Sequence, residues 1–275
     1  MQTMTNTVSF SSFARTALAI ATTSVIATSA LAVTASLPSG AVLVVPNPNV
    51  RTVKIKLDNT TGVEALLFRV QYNRSIAVAT QVRSTSMVAG CAVEINTSNP
   101  TNEVQISMAC TSPLSGGGAL FEIDFAGANP GSTDLTFLEC VLNEGSPACQ
   151  VVDGDLLVTT CALDVDASGL AAANTDGAYI FRALPPTLQN IVPPSFRDLI
   201  PGIPADDVIL DNVTTVLPLL DVDSRGGAVA NTDGAYIFRA LPPKLQNIVP
   251  PEFRTLDPTI PSDAVIGANI SAICP

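Results

Sequence analysis

Asp164, Asp166 and Asp176 pose the first chemical question in this chain. One valine separates Asp164 from Asp166, and Gly169 stands sixth counting from Asp164. Asp176 comes just before an apolar run. Carboxylates gathered around a turn glycine form a set of hard oxygen donors, which is what calcium selects. The pattern recurs. Leu163–Ile209 and Leu220–Ile266 align at a constant offset of 57 residues, with 36 identities in 47 positions. The second copy carries Asp221, Asp223, Gly226 and Asp233. A single copy reads equally well as a solvated acidic turn with a helix cap. Two copies in register favour a paired cation module, and a binding protein before an enzyme.

In copy one Asp164, Asp166 and Ser168 take loop positions 1, 3 and 5, and Leu170 offers its carbonyl at 7. Asp176 closes the loop at position 13, one residue later than in the standard EF-hand pattern. In copy two the set is Asp221, Asp223, the Gly227 carbonyl and Asp233. Arg225 occupies position 5, where an oxygen is expected. Either Arg225 swings out, or the second site is weak or lost.

Other chemistries find little support. The chain has no histidine, which removes the usual general base and the Ser-His and Cys-His nucleophile pairs. Gly116, Gly117 and Gly118 lie in no strand-helix phosphate context and read as a loop before a strand. Glu94, Glu103 and Glu122 could supply a carboxylate pair, but acids on strand faces are usually the wet face. The chain is therefore read as non-catalytic. Carbohydrate binding is the alternative function, with polysaccharide as the second partner class. Sugar platforms are commonly exposed aromatics. The β-region has no tryptophan, and Phe68, Tyr72, Phe121 and Phe125 fall on apolar strand faces.

Residues 1–32 read as a signal peptide, with Arg15, an apolar stretch and Ala30-Leu31-Ala32 as an A-x-A cleavage site. The expected address is secreted, periplasmic or cell-surface, with no membrane span after cleavage. Residues 1–32 hold one base and no acid, so residues 33–275 have 12 bases against 24 acids, a net charge of −12. Such a chain, with Lys54, Lys56 and Lys244 as its only lysines, is not expected to bind nucleic acid. Six cysteines in an exported chain favour disulfides. Sequence alone leaves 15 pairings open, and the expected one is sequential: Cys91–Cys110, Cys140–Cys149 and Cys161–Cys274.

The elements that must position these groups differ along the chain. Residues 33–160 show period-2 alternation, as in Val53, Ile55 and Leu57 against Lys54, Lys56 and Asp58. Leu66, Phe68, Val70 and Tyr72 repeat it, as do Phe121, Ile123 and Phe125. Turn-rich breaks separate these runs, and the class is mainly β, a β-sandwich. In 161–275 each copy has its acidic loop and then a short helix. In copy one the helix spans 175–184, capped by Asn174 or Thr175 and stopped by Pro185-Pro186. A proline-rich connector comes next in each copy, then a second apolar segment, 206–217 and 262–273. One such unit cannot bury its own apolar face, but two packed together can.

With these residues in view, 163–184 and 220–241 resemble dockerin repeats. Residues 33–160 resemble a cohesin domain through VKIKLDNTTGVEALLFRVQY, LSGGGALFEIDF and GSTDLTFLECVLNEGSPACQVVDGDLLV. The resemblance implies a jelly-roll β-sandwich followed by a small α-helical, calcium-stabilised unit. It also implies calcium-dependent protein–protein adhesion or scaffolding, in extracellular polysaccharide-degrading assemblies among other settings. The partner would carry a complementary cohesin or dockerin module, or be a second copy of the chain. Recognition would fall on Asn174, Thr175, Asn231 and Thr232, whose plainer role is helix capping. The two halves could also dock within one chain.

Overall fold

In the computed structural model, residues 32–46, 49–99, 102–188 and 190–275 are described. The signal-peptide reading falls almost wholly outside them. Among the described residues, eleven strands form two sheets. The first runs β10 (Cys149–Val152), β1 (Val33–Ser36), β3 (Val50–Leu57), β8 (Gly118–Gly127), β5 (Ala77–Ser84). The second runs β2 (Ala41–Val44), β11 (Gly154–Thr159), β9 (Gly131–Leu142), β4 (Ala65–Gln71), β7 (Glu103–Ala109), β6 (Ala92–Asn99).

The alternation seen in sequence points inward. Val53, Ile55, Leu57, Phe68, Val70, Phe121, Ile123 and Phe125 are all buried in one core between the sheets. The Phe68 and Phe121 rings meet edge to face at 6.3 Å, and Tyr72 and Phe125 at 5.2 Å. These rings fill the core rather than a sugar-binding surface. β1 and β2 change sheets together with β10 and β11, each pair running parallel. Gly154 permits this crossing, because a Cβ there would lie 2.2 Å from the Pro38 carbonyl oxygen.

Disulfides join Cys91 to Cys110, Cys140 to Cys149 and Cys161 to Cys274. The third links the first and last turns of the helical region. No described helix is long and apolar enough to cross a membrane.

Among the described residues, six α-helices lie beyond Cys161: α1 (Ala178–Ala183), α2 (Pro194–Leu199), α3 (Asp206–Val216), α4 (Ala235–Ala240), α5 (Pro251–Leu256) and α6 (Asp263–Ile273). α2 and α5 lie inside the stretches read as connectors. Proline sits in the first turn of each, where its missing N–H costs nothing. Asp206 and Asp263 tie each connector back to its repeat. Asp206 accepts the backbone N–H of Ile191 at 3.0 Å and pairs with Arg197. Asp263 does the same with Ile248 at 2.9 Å and Arg254 at 2.5 Å.

The repeats pack about a local two-fold. The Ala173 N–H donates to the Pro242 carbonyl at 2.9 Å, and the Ala230 N–H to that of Pro185 at 3.1 Å. A Cβ on Gly177 would lie 2.9 Å from the Phe238 Cα, and one on Gly234 would lie 3.0 Å from the Phe181 Cα. Glycine at both positions lets the backbones approach. The resulting second core holds Tyr179, Ile180, Tyr236 and Ile237.

Strand β2 belongs to both cores. Ala41 and Leu43 face the sandwich, while Val42 and Val44 face the helices. α3 closes on this strand. The amide of buried Asn212 accepts the Val42 N–H at 3.0 Å and donates to the Gly40 carbonyl at 2.9 Å. Beside it Lys54 meets Asp211 at 3.3 Å and Lys56 meets Asp207 at 2.7 Å. Buried Arg51 donates to the Asp211 carbonyl at 2.7 Å. The helical unit is thus docked on the sandwich of its own chain.

Candidate metal centre in the paired repeats

In each loop the residues at positions 4 and 6 take left-handed backbone conformations. Ala167 and Ser224 have φ of 60° and 56°, and Gly169 and Gly226 have φ of 88° and 111°. The reversal folds the first two carboxylates toward the closing one. Oxygens of Asp164, Asp166 and Asp176 lie within 4.8 Å of one another, and so do those of Asp221, Asp223 and Asp233. Oxygens bound at the usual 2.3–2.6 Å from calcium can stand about 5 Å apart across the ion.

The closing residue arrives by an unexpected route. A capped α-helix from residue 175 is not what forms. Ala173–Gly177 is a π-helical turn, in which the Gly177 N–H donates to the Ala172 carbonyl at 3.0 Å. Ala230–Gly234 repeats it. The wider turn absorbs the extra loop residue and brings Asp176 and Asp233 inward despite their position 13.

Asn174 and Thr175 therefore lie inside a turn and cap nothing. The hydroxyls are engaged elsewhere: that of Thr175 donates to Asp176 Oδ2 at 3.0 Å, and that of Thr232 to Asp233 Oδ2 at 3.1 Å. Asn174 and Asn231 are exposed.

Asp176 is fully buried and organises its loop. Its Oδ1 accepts the Val165 N–H at 2.8 Å, and its Oδ2 accepts the Ala172 N–H at 2.9 Å. Asp164 Oδ2 accepts the Gly169 N–H at 2.9 Å. Ser168 and Leu170 are engaged with each other, the hydroxyl donating to the carbonyl at 3.1 Å. The carboxylates crowd. Burial, followed by the charge of Asp166, pushes the Asp164 carboxyl up to about 6 and that of Asp176 up to about 7. Burial and then Asp233 push Asp223 up to about 6. Asp221 is also resisted by burial, yet it is held below its ordinary value by the N–H groups of Gly227, Arg225 and Gly226.

Arg225 swings out of the second loop. It pairs with Asp257 at 2.6 Å and donates to Thr259 at 3.1 Å. Position 5 thus loses an oxygen, and the Arg225 charge still acts on Asp223, opposing the rise of its carboxyl. Gly227 directs its N–H to Asp221 at 3.0 Å.

The residues present fit a hard divalent cation. The donors are all oxygen, and like charges are held together in partial burial, which favours a bound positive charge. Among the described residues, the buried hydroxyls Tyr179 Oη and Tyr236 Oη find no hydrogen-bond partner. Burial raises both hydroxyls, and the charges of Asp166 and Asp176 raise that of Tyr179 further, as those of Asp223 and Asp233 raise that of Tyr236. An orphaned hydroxyl beside an acidic cluster suits a water held by an ion.

No family model and no curated protein matches the chain. Solved structures similar to it are cohesins. The non-cellulosomal cohesin of Archaeoglobus fulgidus is 16% identical with a TM-score of 0.40, covering 46% of this chain and 91% of that one. CaCohA2 from Clostridium acetobutylicum is 20% identical with a TM-score of 0.39, covering 46% and 91%. The seventh ScaB type I cohesin from Pseudobacteroides cellulosolvens is 14% identical with a TM-score of 0.38, covering 46% and 92%.

Proposed function

We propose that this chain is an exported, non-catalytic, calcium-dependent protein–protein adhesion or scaffolding protein of cohesin–dockerin type. The observation that carries the reading is the recurrence of one three-carboxylate cluster in both repeats, built on the same left-handed turn and the same π-helical turn. Calcium would be held by Asp164, Asp166 and Asp176, and by Asp221, Asp223 and Asp233. It would neutralise carboxylates whose mutual repulsion otherwise opposes the packing of α1 against α4. The dockerin-like assignment of 161–275 rests on those loops and on the resemblance of the repeats. The partner would carry a complementary module or be another copy of the chain.

Calorimetric titration with calcium tests the metal: saturable heat at two sites and a rise in unfolding temperature are expected. Size-exclusion chromatography at rising concentration, in calcium and in chelator, tests the linking. Calcium-dependent growth supports self-assembly. A chain that stays monomeric and takes up no partner module would count against scaffolding, and absence of binding heat with no thermal shift would sink the calcium reading.

A further inference from the structure

The local two-fold leaves an apolar groove of about 440 Å3 between α1 and α4. Phe181 and Phe238 line it, each beside the glycine of the opposite repeat, with Pro193 and Pro250 as further walls. Each lining residue has its mate 57 positions on. Arg182 and Arg239 stand at the same groove.

These two arginines differ from the rest of the repeats. Arg197 pairs with Asp206, Arg225 with Asp257 and Arg254 with Asp263. Among the described residues, Arg182 and Arg239 have no carboxylate partner. Each instead uses Nε to grip the connector. Arg182 donates to the carbonyls of Asn190 at 2.7 Å and Ile191 at 3.1 Å, and Arg239 to those of Asn247 at 2.8 Å and Ile248 at 3.1 Å. The guanidinium is fixed, and its Nη groups keep their donors. In a chain of net charge −11, two positioned guanidiniums left without acids mark a place for an incoming anion.

We propose that this groove docks an acidic peptide segment of a partner protein, with apolar side chains between Phe181 and Phe238 and carboxylates on Arg182 and Arg239. The planar forks suit carboxylates, and the apolar lining suits leucine or phenylalanine rather than a sugar. Because the groove repeats itself about the two-fold, one peptide fits in either chain direction. The proposal goes beyond the calcium reading and uses none of the loop acids as contacts.

The test uses the full chain in calcium and fluorescence anisotropy of a labelled peptide with a Leu-Phe-Leu core flanked on each side by Asp-Glu. Saturable, salt-sensitive binding is expected. A peptide with Asn-Gln flanks should bind roughly tenfold more weakly. Arg182→Gln and Arg239→Gln should each weaken binding by a similar factor, and the double variant should abolish it. Arg182→Lys should restore only part, because the fork is lost. Thermal unfolding of each variant with and without calcium checks folding and reports separately on the metal. A retained calcium shift with no peptide binding overturns the groove alone. Equal binding of the two peptides, or binding indifferent to both arginines, also overturns it. Concentration-dependent dimerisation abolished by the arginine variants would make a second copy the occupant and overturn the peptide proposal.

Discussion

Asn212 and Val42 lie 170 residues apart and are joined by one buried hydrogen bond, the Asn212 Oδ1 accepting the Val42 N–H at 3.0 Å. The same amide donates to the Gly40 carbonyl at 2.9 Å and to the Val165 carbonyl, inside the first acidic loop, at 2.8 Å. One side chain thus ties a sheet edge, a helix and a candidate cation loop. Asn269, its mate in copy two, keeps only the loop contact, donating to the Val222 carbonyl at 2.8 Å. The two asparagines therefore separate a role within the repeat from a role between the modules.

Asn212→Ala should cost about 3 kcal/mol, because it strands a buried N–H and two carbonyls. Asn269→Ala should cost about 1 kcal/mol. Denaturant unfolding measures both. Equal losses would mean that the contact with β2 contributes nothing to stability.

Asp164 and Asp176 connect the loop to pH. Their carboxyls titrate at about 6 and about 7 in the folded chain, against about 3.9 when unfolded. Between these values the folded chain holds protons that the unfolded chain has released. Their contribution to stability therefore falls as pH rises from about 4 to about 7. Calcium competes with those protons, so its stabilising effect should grow across the same window. Unfolding temperatures in chelator and in calcium, at about pH 5 and about pH 7.5, should diverge with pH. Asp176→Asn should shrink the divergence, and a calcium effect independent of pH would contradict this account.

Gly177→Ala and Gly234→Ala should each destabilise by about 1–3 kcal/mol, since the added carbon meets backbone and not a flexible side chain. The two losses should be similar because the contacts are reciprocal. If thermal denaturation shows either substitution to be neutral, the close crossing of the repeats is not maintained in solution.

Cys161 and Cys274 are bonded across 113 residues. Replacing both by serine should cost about 4–5 kcal/mol in the chain-entropy picture. The loss should appear as unfolding of the helical region at lower denaturant, followed by far-ultraviolet circular dichroism. A helical signal that melts unchanged would show that packing on β2 suffices.

Much of this was legible in the chain itself. The inward faces of β3, β4 and β8 follow from period 2, because alternate side chains must leave the sheet on opposite sides. The acidic loops and their glycines follow from spacing, and the paired packing from the duplication. Three decisions came only with the tertiary structure. The closing aspartates look one residue late, and a π-helical turn corrects them; no local propensity marks that turn, which is set by the bonds Asp176 makes with Val165 and Ala172. Arg225 looks like an intruder, and Asp257, 32 residues on, draws it away. Asn212 and Asn269 occupy matching positions, yet only one meets a strand. A sequence repeat carries the same residues twice but cannot say which copy faces the sandwich, because that depends on side chains brought together from 170 residues away.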